Sequence, residues 1–251
     1  MKSNFEFLNR YWPALAQIGH AAENYVYSDP NASLYKTGLF AERLVQEIML
    51  FEHISEPITD NTHVNRIRIL KRAGLLPREI DNTLYVLRKA RNSAVHTGSD
   101  SVEEAKTLLS MAYNLAVWFM KACGDWEFLA PDFVMPAENE PRDLEAVIAE
   151  QEKTIAELTK QFNQVSTAVS GITQKERIKH SESVSLMMNW NEAQTRRLID
   201  EQLRIAGWEA DTQTLRYSKG TRPVKGRNIA ISEWPTDSAY CEKGFVDYAF
   251  F

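Results

Sequence analysis

The stretch NEAQTRRLIDEQLRIAGW, residues 191–208, decides the fold because the character of the sequence changes at its end. Asn191 followed by Gln194 is typical of a helix start, and Gly207 is typical of a helix stop. The apolar side of this helix is predicted to consist of Leu198, Ile199, Leu203 and Ile205. After Trp208 the helical period is lost, and the residues that follow predict a strand, a basic loop and further strands. A helix followed by strands indicates the beginning of an α/β domain, here over residues 186–251.

Upstream of this helix, residues 1–125 carry the period of amphipathic helices. The segment 33–54, SLYKTGLFAERLVQEIMLFEHI, repeats apolar residues mostly at steps of three and four. Its apolar face is predicted to contain Leu34, Leu39, Phe40, Leu44, Val45, Ile48 and Phe51. A further helix begins at Pro77, and another is capped by Ser101 with Glu104. These patterns predict a bundle of four or five helices.

Between the bundle and the last segment, the sequence predicts a linker and a long helix. Residues 126–141, WEFLAPDFVMPAENEP, combine prolines and acidic residues without a sustained period, which indicates a linker. Residues 142–185 follow a heptad pattern and predict a coiled-coil arm with its seam over residues 144–172. This arm either pairs with a second copy, giving a homodimer, or packs back on its own chain; the sequence leaves both open.

Composition and charge exclude several classes of protein. Hydrophobic residues make up 44% of the chain, which is enough for packed cores and excludes a disordered protein. The formal net charge of −5 gives no argument for nucleic acid over the whole chain, so local clusters must decide. Cys123 and Cys241 suggest neither a disulfide framework nor a zinc site. With no signal peptide and no long apolar run, we expect a cytoplasmic protein without a membrane segment.

An aspartate stands near the end of the sequence in residues 243–251, KGFVDYAFF. The aromatic and β-branched neighbours of Asp247 predict a buried strand. A buried carboxylate is paired, protonated or bound to a metal, since burying an unpaired charge is costly. Asp247 is therefore either a structural residue bonded to backbone amides or an arginine, or a ligand of Mg²⁺. Glu192 on the preceding helix is a weaker catalytic candidate.

A basic loop precedes this strand. The segment from residue 216 to 227 contains no acid and holds five cations: Arg216, Lys219, Arg222, Lys225 and Arg227. Such a loop suits contacts with DNA phosphates, and it also suits a solvated charged surface.

A second group of polar residues lies in RNSAVH, residues 91–96. Arg91 and His96 are separated by about 140° around a helix, so they converge only if the last turn bends. In a catalytic interpretation, His96 acts as acid or base while Arg91 steadies a phosphate. In a structural interpretation, both interact with the end of the helix, and Asn92 bonds to a neighbouring helix. The arrangement resembles the RNxxxH motif of HEPN-type helical domains, several of which are ribonucleases.

The segment from NEAQTRRLIDEQLRIAGW through LRYSKGTRPVKGRNIAISEWPT to GFVDYAFF resembles the opening of the nuclease domain in the R subunit (HsdR type) of type I restriction enzymes. The upstream layout is similar too, with SNFEFL near the start, a helical domain and an arm. The resemblance implies a mainly α chain: a HEPN-like helical bundle, a coiled-coil-like helix and the incomplete start of an α/β PD-(D/E)xK nuclease domain. It also implies that Asp247 is the first acidic residue of a Mg²⁺-dependent nuclease.

The chain departs from the family pattern after Asp247. The family's Glu-x-Lys pair lies on the next strand and is not among these 251 residues, and no G-x-x-x-x-G-K-[ST] nucleotide-binding motif occurs. We therefore expect an N-terminal fragment or a truncated gene product that does not cleave DNA by itself. ATP would act only in the parent enzyme, whose implied partners are DNA and the specificity and methylation subunits. The alternative is a HEPN-like ribonuclease or a stand-alone interaction module.

Overall fold

The computed structural model describes residues 3–57, 60–97, 100–138, 173–236 and 244–251. The backbone divides into two compact units, Met1–Asn189 and Trp190–Phe251. The division lies close to residue 186, where the sequence predicts that the last segment begins. Within the described residues, none of the helices combines the length and the apolar character needed to cross a membrane.

The first unit is helical, which confirms the predicted bundle. Its first five helices are α1 (Pro13–Tyr25), α2 (Pro30–Phe51), α3 (His63–Arg72), α4 (Arg78–Thr97) and α5 (Val102–Phe119). Asp29, Thr62 and Ser101 each accept a hydrogen bond from a backbone N–H three residues further on, which fixes the starts of α2, α3 and α5. The predicted cap at Ser101 is therefore confirmed. At its end, α5 continues into a π-helical turn, Met120–Gly124.

Helix α2 lies at the centre of this unit, where it packs against α1, α4 and α5. Most of its predicted apolar face is fully enclosed, including Phe40, Leu44 and Ile48. Leu39 and Phe51 are only partly covered. The approach of α4 is so close that a Cβ at Gly38 would lie 2.3 Å from the Cβ of Arg91. The absence of a side chain at this position therefore lets the two helices meet.

Residues 126–138, predicted as linker, have neither helix nor strand and lie against the helical unit. The Tyr113 hydroxyl donates to the Pro131 carbonyl. Asn4 donates to the carbonyl of Val134 at 2.8 Å and accepts from its N–H at 2.8 Å. These contacts hold the segment along the bundle.

The predicted coiled-coil seam, residues 144–172, lies outside the described residues, so pairing of this seam stays a prediction. The last part of the predicted arm forms α6 (Gln174–Leu186), which packs on the same helical unit. The Arg177 guanidinium binds Glu52 with two nitrogens, at 2.7 and 2.8 Å. His180 stacks on Trp126 with ring centroids 4.3 Å apart. This part of the arm is thus docked on its own chain.

The described residues of the second unit form an α-helix, a short 3-10 helix (Tyr217–Lys219) and a small sheet: α7 (Glu192–Ile205), β1 (Glu209–Ala210), β2 (Ile229–Thr236) and β3 (Gly244–Phe250). The strand order is β1-β2-β3; β1 runs parallel to β2, and β3 runs antiparallel to it. The predicted caps at the start of α7 are both present, because Asn191 and Gln194 bond each other's backbone N–H. A helix followed by strands is confirmed; the nuclease fold itself stays a prediction.

The side of α7 that is buried differs from the prediction. Ile205 is 65% exposed, whereas Gln194, Asp200 and Glu201 are buried. The predicted apolar side is therefore wrong in part. The physical reason is that the buried polar side chains of α7 have partners: Asp200 accepts from Thr212 and Tyr248, Gln194 caps the helix start with Asn191, and Glu201 pairs with Arg204.

Candidate functional site

Asp247 lies on β3, as predicted, but it is not buried. Its side chain is 86% exposed. The prediction of burial is wrong because β3 pairs with β2 along one edge only, and none of its residues is fully covered by the described part of the chain. Aromatic contacts, such as Trp234 against Phe251, shield only the end of the strand. The carboxylate is thus available to solvent.

Arg196 of α7 links Asp247 to two other carboxylates. Its Nη2 atom lies 3.5 Å from Oδ1 of Asp247, 2.9 Å from Oε1 of Glu192 and 3.7 Å from Oε1 of Glu233. Glu192, one turn before Arg196 on the same helix, is also exposed. The structure therefore brings together the two predicted acidic residues, Asp247 and Glu192, around an arginine that sequence reasoning did not single out.

Glu233 is the other residue that the sequence analysis missed. It lies on β2 between Ser232 and Trp234, which pair with Tyr248 and Val246, so the register places it opposite Asp247. Its φ of 53° is left-handed, which a non-glycine residue rarely adopts within a strand. Such strain clusters at functional sites and is held by the surrounding contacts. Nothing in the segment EWPT, residues 233–236, predicts this left-handed conformation.

A buried polar network fixes the strand next to Asp247. Asp200, 3% exposed, accepts hydrogen bonds from the backbone N–H of Thr212 at 2.8 Å and from its hydroxyl at 2.7 Å. The Tyr248 hydroxyl donates to the same carboxylate at 3.0 Å. Burial raises the pKa of Tyr248 to about 12. Asp200 stands one turn after Arg196 on α7, so consecutive turns of one helix hold Asp247 and Tyr248.

The five cations of the basic loop have different surroundings. Arg216 pairs with Glu233, and Arg227 pairs with Glu209. Arg222 lies over the ring of Tyr217 at 3.8 Å and donates to two backbone carbonyls. Lys219 and Lys225 are exposed, and neither forms an ion pair with a residue that the structure describes. These two lysines are therefore the cations of the loop best placed to meet an external anion.

The residues of the RNSAVH motif belong to the helical unit. Arg91 pairs with Glu42 of α2 and lies 5.1 Å from the ring centroid of Tyr35. Asn92 is exposed, and the His96 side chain lies outside the described residues. Arg91 is thus engaged with a structural partner. The described contacts lend no support to a ribonuclease site, and the predicted role of His96 stays a prediction.

Close to Arg91, His63 at the start of α3 has both ring nitrogens shielded from solvent, with no hydrogen-bond partner among the described residues. Burial is the main cause that lowers the pKa of His63 to about 4; nearby arginines lower it further, and Glu42 opposes them.

Asp247, Glu192 and Glu233 form a cluster around Arg196. Whether a metal ion fits this cluster depends on how many oxygen ligands it offers. Carboxylates are the ligands that Mg²⁺ prefers, so Asp247 has suitable chemistry. Within the described residues, however, no three His, Cys, Asp or Glu side chains are grouped so that they could hold a metal ion. The cation that these carboxylates face is the guanidinium of Arg196. The described residues alone therefore do not make a complete Mg²⁺ site.

Comparison with known proteins gives two matches. A family model described as the second domain of the endonuclease subunit of the type I restriction enzyme EcoKI matches residues 209–251. The chain is also 31% identical, over 303 aligned residues, to the type I restriction enzyme EcoKI endonuclease subunit of Escherichia coli (strain K12). That alignment covers 100% of this chain and 26% of the relative, so the chain spans about a quarter of the relative's length. No solved structure matches the chain. The chain therefore belongs to the family of endonuclease (R) subunits of type I restriction enzymes.

Proposed function

We propose that this chain supplies a DNA-binding surface and the first acidic residue of the DNA-cleavage site in a type I restriction endonuclease subunit. The observation that carries the proposal is a continuous series of ion pairs. Arg216, at the start of the basic loop, pairs with Glu233, and Glu233 shares Arg196 with Asp247. A phosphate held by the loop would therefore lie in the neighbourhood of Asp247.

The loop is the part of the chain that would bind the DNA backbone. Residues 190–251 contain nine cations and nine acidic residues, so this unit has no net charge. Five of the nine cations nevertheless fall within residues 216–227, where there is no acid. An uneven charge distribution of this kind gives a local positive surface on a neutral unit. Lys219 and Lys225 would make the phosphate contacts, while the paired Arg216 and Arg227 would hold the loop in shape.

Asp247 would supply one oxygen ligand for Mg²⁺ in the intact subunit, and the remaining ligands would come from residues outside the described cluster. The work of the intact subunit would be ATP-driven DNA translocation and double-strand cleavage, in a complex with specificity and methylation subunits. A cytoplasmic location and a homodimer through residues 144–172 stay predictions. The chain of 251 residues is expected to bind DNA without cutting it.

A binding experiment tests the DNA surface. We expect Lys219→Ala combined with Lys225→Ala to weaken binding of a fluorescent duplex and to reduce the slope of log K against log salt by about 2, one unit per lost phosphate contact. The matched control is Lys175→Ala with Lys179→Ala, which removes two exposed lysines from α6. Equal losses of DNA affinity in both double variants would mean that the effect depends on net charge alone. That result would contradict the proposed surface.

A second experiment tests Asp247 in the intact subunit, assembled with its specificity and methylation subunits. Asp247→Asn should abolish plasmid cleavage and leave DNA-stimulated ATP hydrolysis unchanged, because the substitution removes a carboxylate without altering the size of the side chain. Cleavage that survives in this variant would show that Asp247 does not belong to the cleavage site.

A further inference from the structure

Arg222 of the basic loop carries its guanidinium against an aromatic ring. Its Cζ atom lies 3.8 Å from the ring centroid of Tyr217, within van der Waals contact, whereas that of Arg10 lies 5.0 Å from the ring centroid of Tyr11. The Nη1 atom of Arg222 donates to the carbonyls of Tyr217 at 3.0 Å and of Thr221 at 2.7 Å. The guanidinium is therefore held in a defined orientation, although Arg222 itself is exposed.

Tyr217 is in turn supported by the sheet. Its ring makes an edge contact with Trp234 of β2, with ring centroids 4.9 Å apart. Trp234 also contacts Phe251, which follows β3, at 4.7 Å. A guanidinium and a ring that are supported in this way form a rigid, flat surface, which we call the Arg222–Tyr217 platform.

Two exposed lysines flank this platform in sequence. Lys219 lies three residues before Arg222, and Lys225 lies three residues after it. At Gly220 and Gly226 the backbone is left-handed, with φ of 83° and 82°, and a Cβ at either position would meet no atom of the described residues within 4 Å. The loop beside the platform is therefore open to an approaching ligand.

The chemistry of this surface fits a DNA strand whose bases are unpaired. The flat face of a guanidinium or of an aromatic ring stacks on the face of a base. In a duplex those faces are covered by neighbouring base pairs, so that a protein meets only base edges, sugars and phosphates. A duplex would therefore use the lysines and leave the platform unused, whereas an unpaired strand would use both. Because residues 216–227 contain no acid, the same loop attracts the phosphates between the bases.

We infer that the Arg222–Tyr217 platform is a stacking site for a base of single-stranded DNA, with Lys219 and Lys225 on the adjacent phosphates. The inference rests on the proposed function, because it takes the basic loop to be a DNA-binding surface. It adds the class of DNA that the loop prefers, and it gives Arg222 a role distinct from the phosphate contacts of the lysines.

Fluorescence anisotropy with three labelled probes of equal length tests this inference. The probes are a strand of about 12 thymidines, an abasic strand with the same number of phosphates, and a duplex. The wild-type chain should bind the thymidine strand about tenfold more tightly than the abasic strand, because only the thymidine strand has bases to stack. Equal affinity for these two strands would overturn the stacking site, and this comparison requires no variant.

Arg222→Lys isolates the contribution of the flat guanidinium, because it keeps the positive charge. This variant should bind the thymidine strand about fivefold more weakly and leave binding of the abasic strand and the duplex unchanged. The matched control is Arg10→Lys, which changes an exposed arginine beside a tyrosine ring in the helical unit and should alter none of the affinities. An equal loss for all three probes in Arg222→Lys would mean that Arg222 contacts phosphate and would overturn the inference.

The double variant Lys219→Ala with Lys225→Ala separates failure of this inference from failure of the proposed function. If it weakens binding of all three probes while the wild type does not distinguish the thymidine strand from the abasic strand, the stacking site is overturned and the DNA surface stands. If it weakens binding of none of the probes, both are overturned. Tighter binding of a uridine strand than of the thymidine strand would overturn the assignment to DNA.

Discussion

Asp200 and Tyr248 lie 48 residues apart in sequence and are joined by a hydrogen bond of 3.0 Å from the tyrosine hydroxyl to the buried carboxylate. Thr212 donates to the same carboxylate with its backbone N–H and its hydroxyl. One side chain of α7 therefore ties the helix to the loop after β1 and to β3. Because Tyr248 adjoins Asp247, this bond sets the position of the residue that the proposed function depends on.

Removal of this carboxylate should destabilise the second unit. Asp200→Ala leaves the Thr212 N–H and one hydroxyl proton without an acceptor, because the Thr212 and Tyr248 hydroxyls lie 2.8 Å apart and can still bond each other. Unsatisfied buried polar groups cost about 1–3 kcal/mol each, so we expect a total loss of about 2–6 kcal/mol in the free energy of unfolding, and about 1 kcal/mol for Tyr248→Phe. Urea unfolding followed by circular dichroism measures both. Thr195→Ala, at an exposed position of α7, is the control. A loss no larger than that of Thr195→Ala would contradict a structural role for Asp200.

His63 should make the helical unit sensitive to acid. Its pKa is lowered from 6.5 to about 4, so the unfolded chain takes up a proton more readily than the folded one. The stability that this group contributes is therefore fully present above pH 6.5 and is lost as the pH falls towards 4. The largest effect corresponds to about 3 kcal/mol.

Urea unfolding at a series of pH values tests the His63 prediction. His63→Gln should lose less stability between neutral pH and pH 4.5 than the wild type does. The groups that face His63 are Glu42 of α2, Arg88 and Arg91 of α4, and Arg66 of its own helix. His20→Gln changes an exposed histidine and should follow the wild type. Parallel curves for His63→Gln and the wild type would refute the assignment.

Gly38 offers a test in which two effects have opposite signs. Alanine has a higher helix propensity than glycine by about 1 kcal/mol, so propensity alone predicts that Gly38→Ala stabilises α2. A new Cβ would however lie 2.3 Å from the Cβ of Arg91, an atom fixed close to the backbone of α4. Overpacking of this kind typically costs about 1–3 kcal/mol, and we expect it to prevail. A higher melting temperature for Gly38→Ala would show that the helices separate without cost.

Docking of α6 should depend on Arg177 and Glu52. The Glu52 side chain is only 3% exposed in its pair with Arg177. Arg177→Met leaves this carboxylate buried without the guanidinium, which costs about 3–5 kcal/mol when a buried pair is broken. We expect α6 to become more accessible to trypsin in limited proteolysis, with Lys175 and Lys179 as the sites to follow.

A second substitution separates charge from packing at α6. Adding Glu52→Gln to Arg177→Met should restore much of the protection, because it removes the uncompensated charge. If the double variant is cleaved as fast as Arg177→Met, contacts of the guanidinium other than its pair with Glu52, such as its position over the Phe51 ring, account for the docking instead.

Local signals in the sequence predicted the parts of the fold that depend on local interactions. The caps at Ser101 and Asn191 need only a side chain and a backbone N–H three residues away, and both are present. The burial of Asp247 could not be predicted in this way, because burial depends on what covers the strand. Its apolar neighbours suggested a covered strand, while in the part of the chain that the structure describes β3 pairs with β2 alone.

The candidate site was predicted only in part for a similar reason. Asp247 and Glu192 were found from their residue type and from the family resemblance, and both lie in the cluster. Arg196 has the appearance of an ordinary exposed helix residue in the sequence, since its role arises only when two strands approach α7. The position of the Glu233 side chain depends on a left-handed backbone, which no propensity scale assigns to glutamate within a strand.

The left-handed backbone of Glu233 also has a consequence for the pairing of β2 with β3. It falls between the pairs Ser232–Tyr248 and Trp234–Val246, which keep one register, so Glu233 lies opposite Asp247. A slip of one residue would turn every side chain of β3 to the other side of the sheet. Tyr248 would then lose Asp200, and Asp247 would point away from Arg196. The observed register of β2 and β3 is therefore the one that keeps Tyr248 bonded to Asp200 and Asp247 beside Arg196.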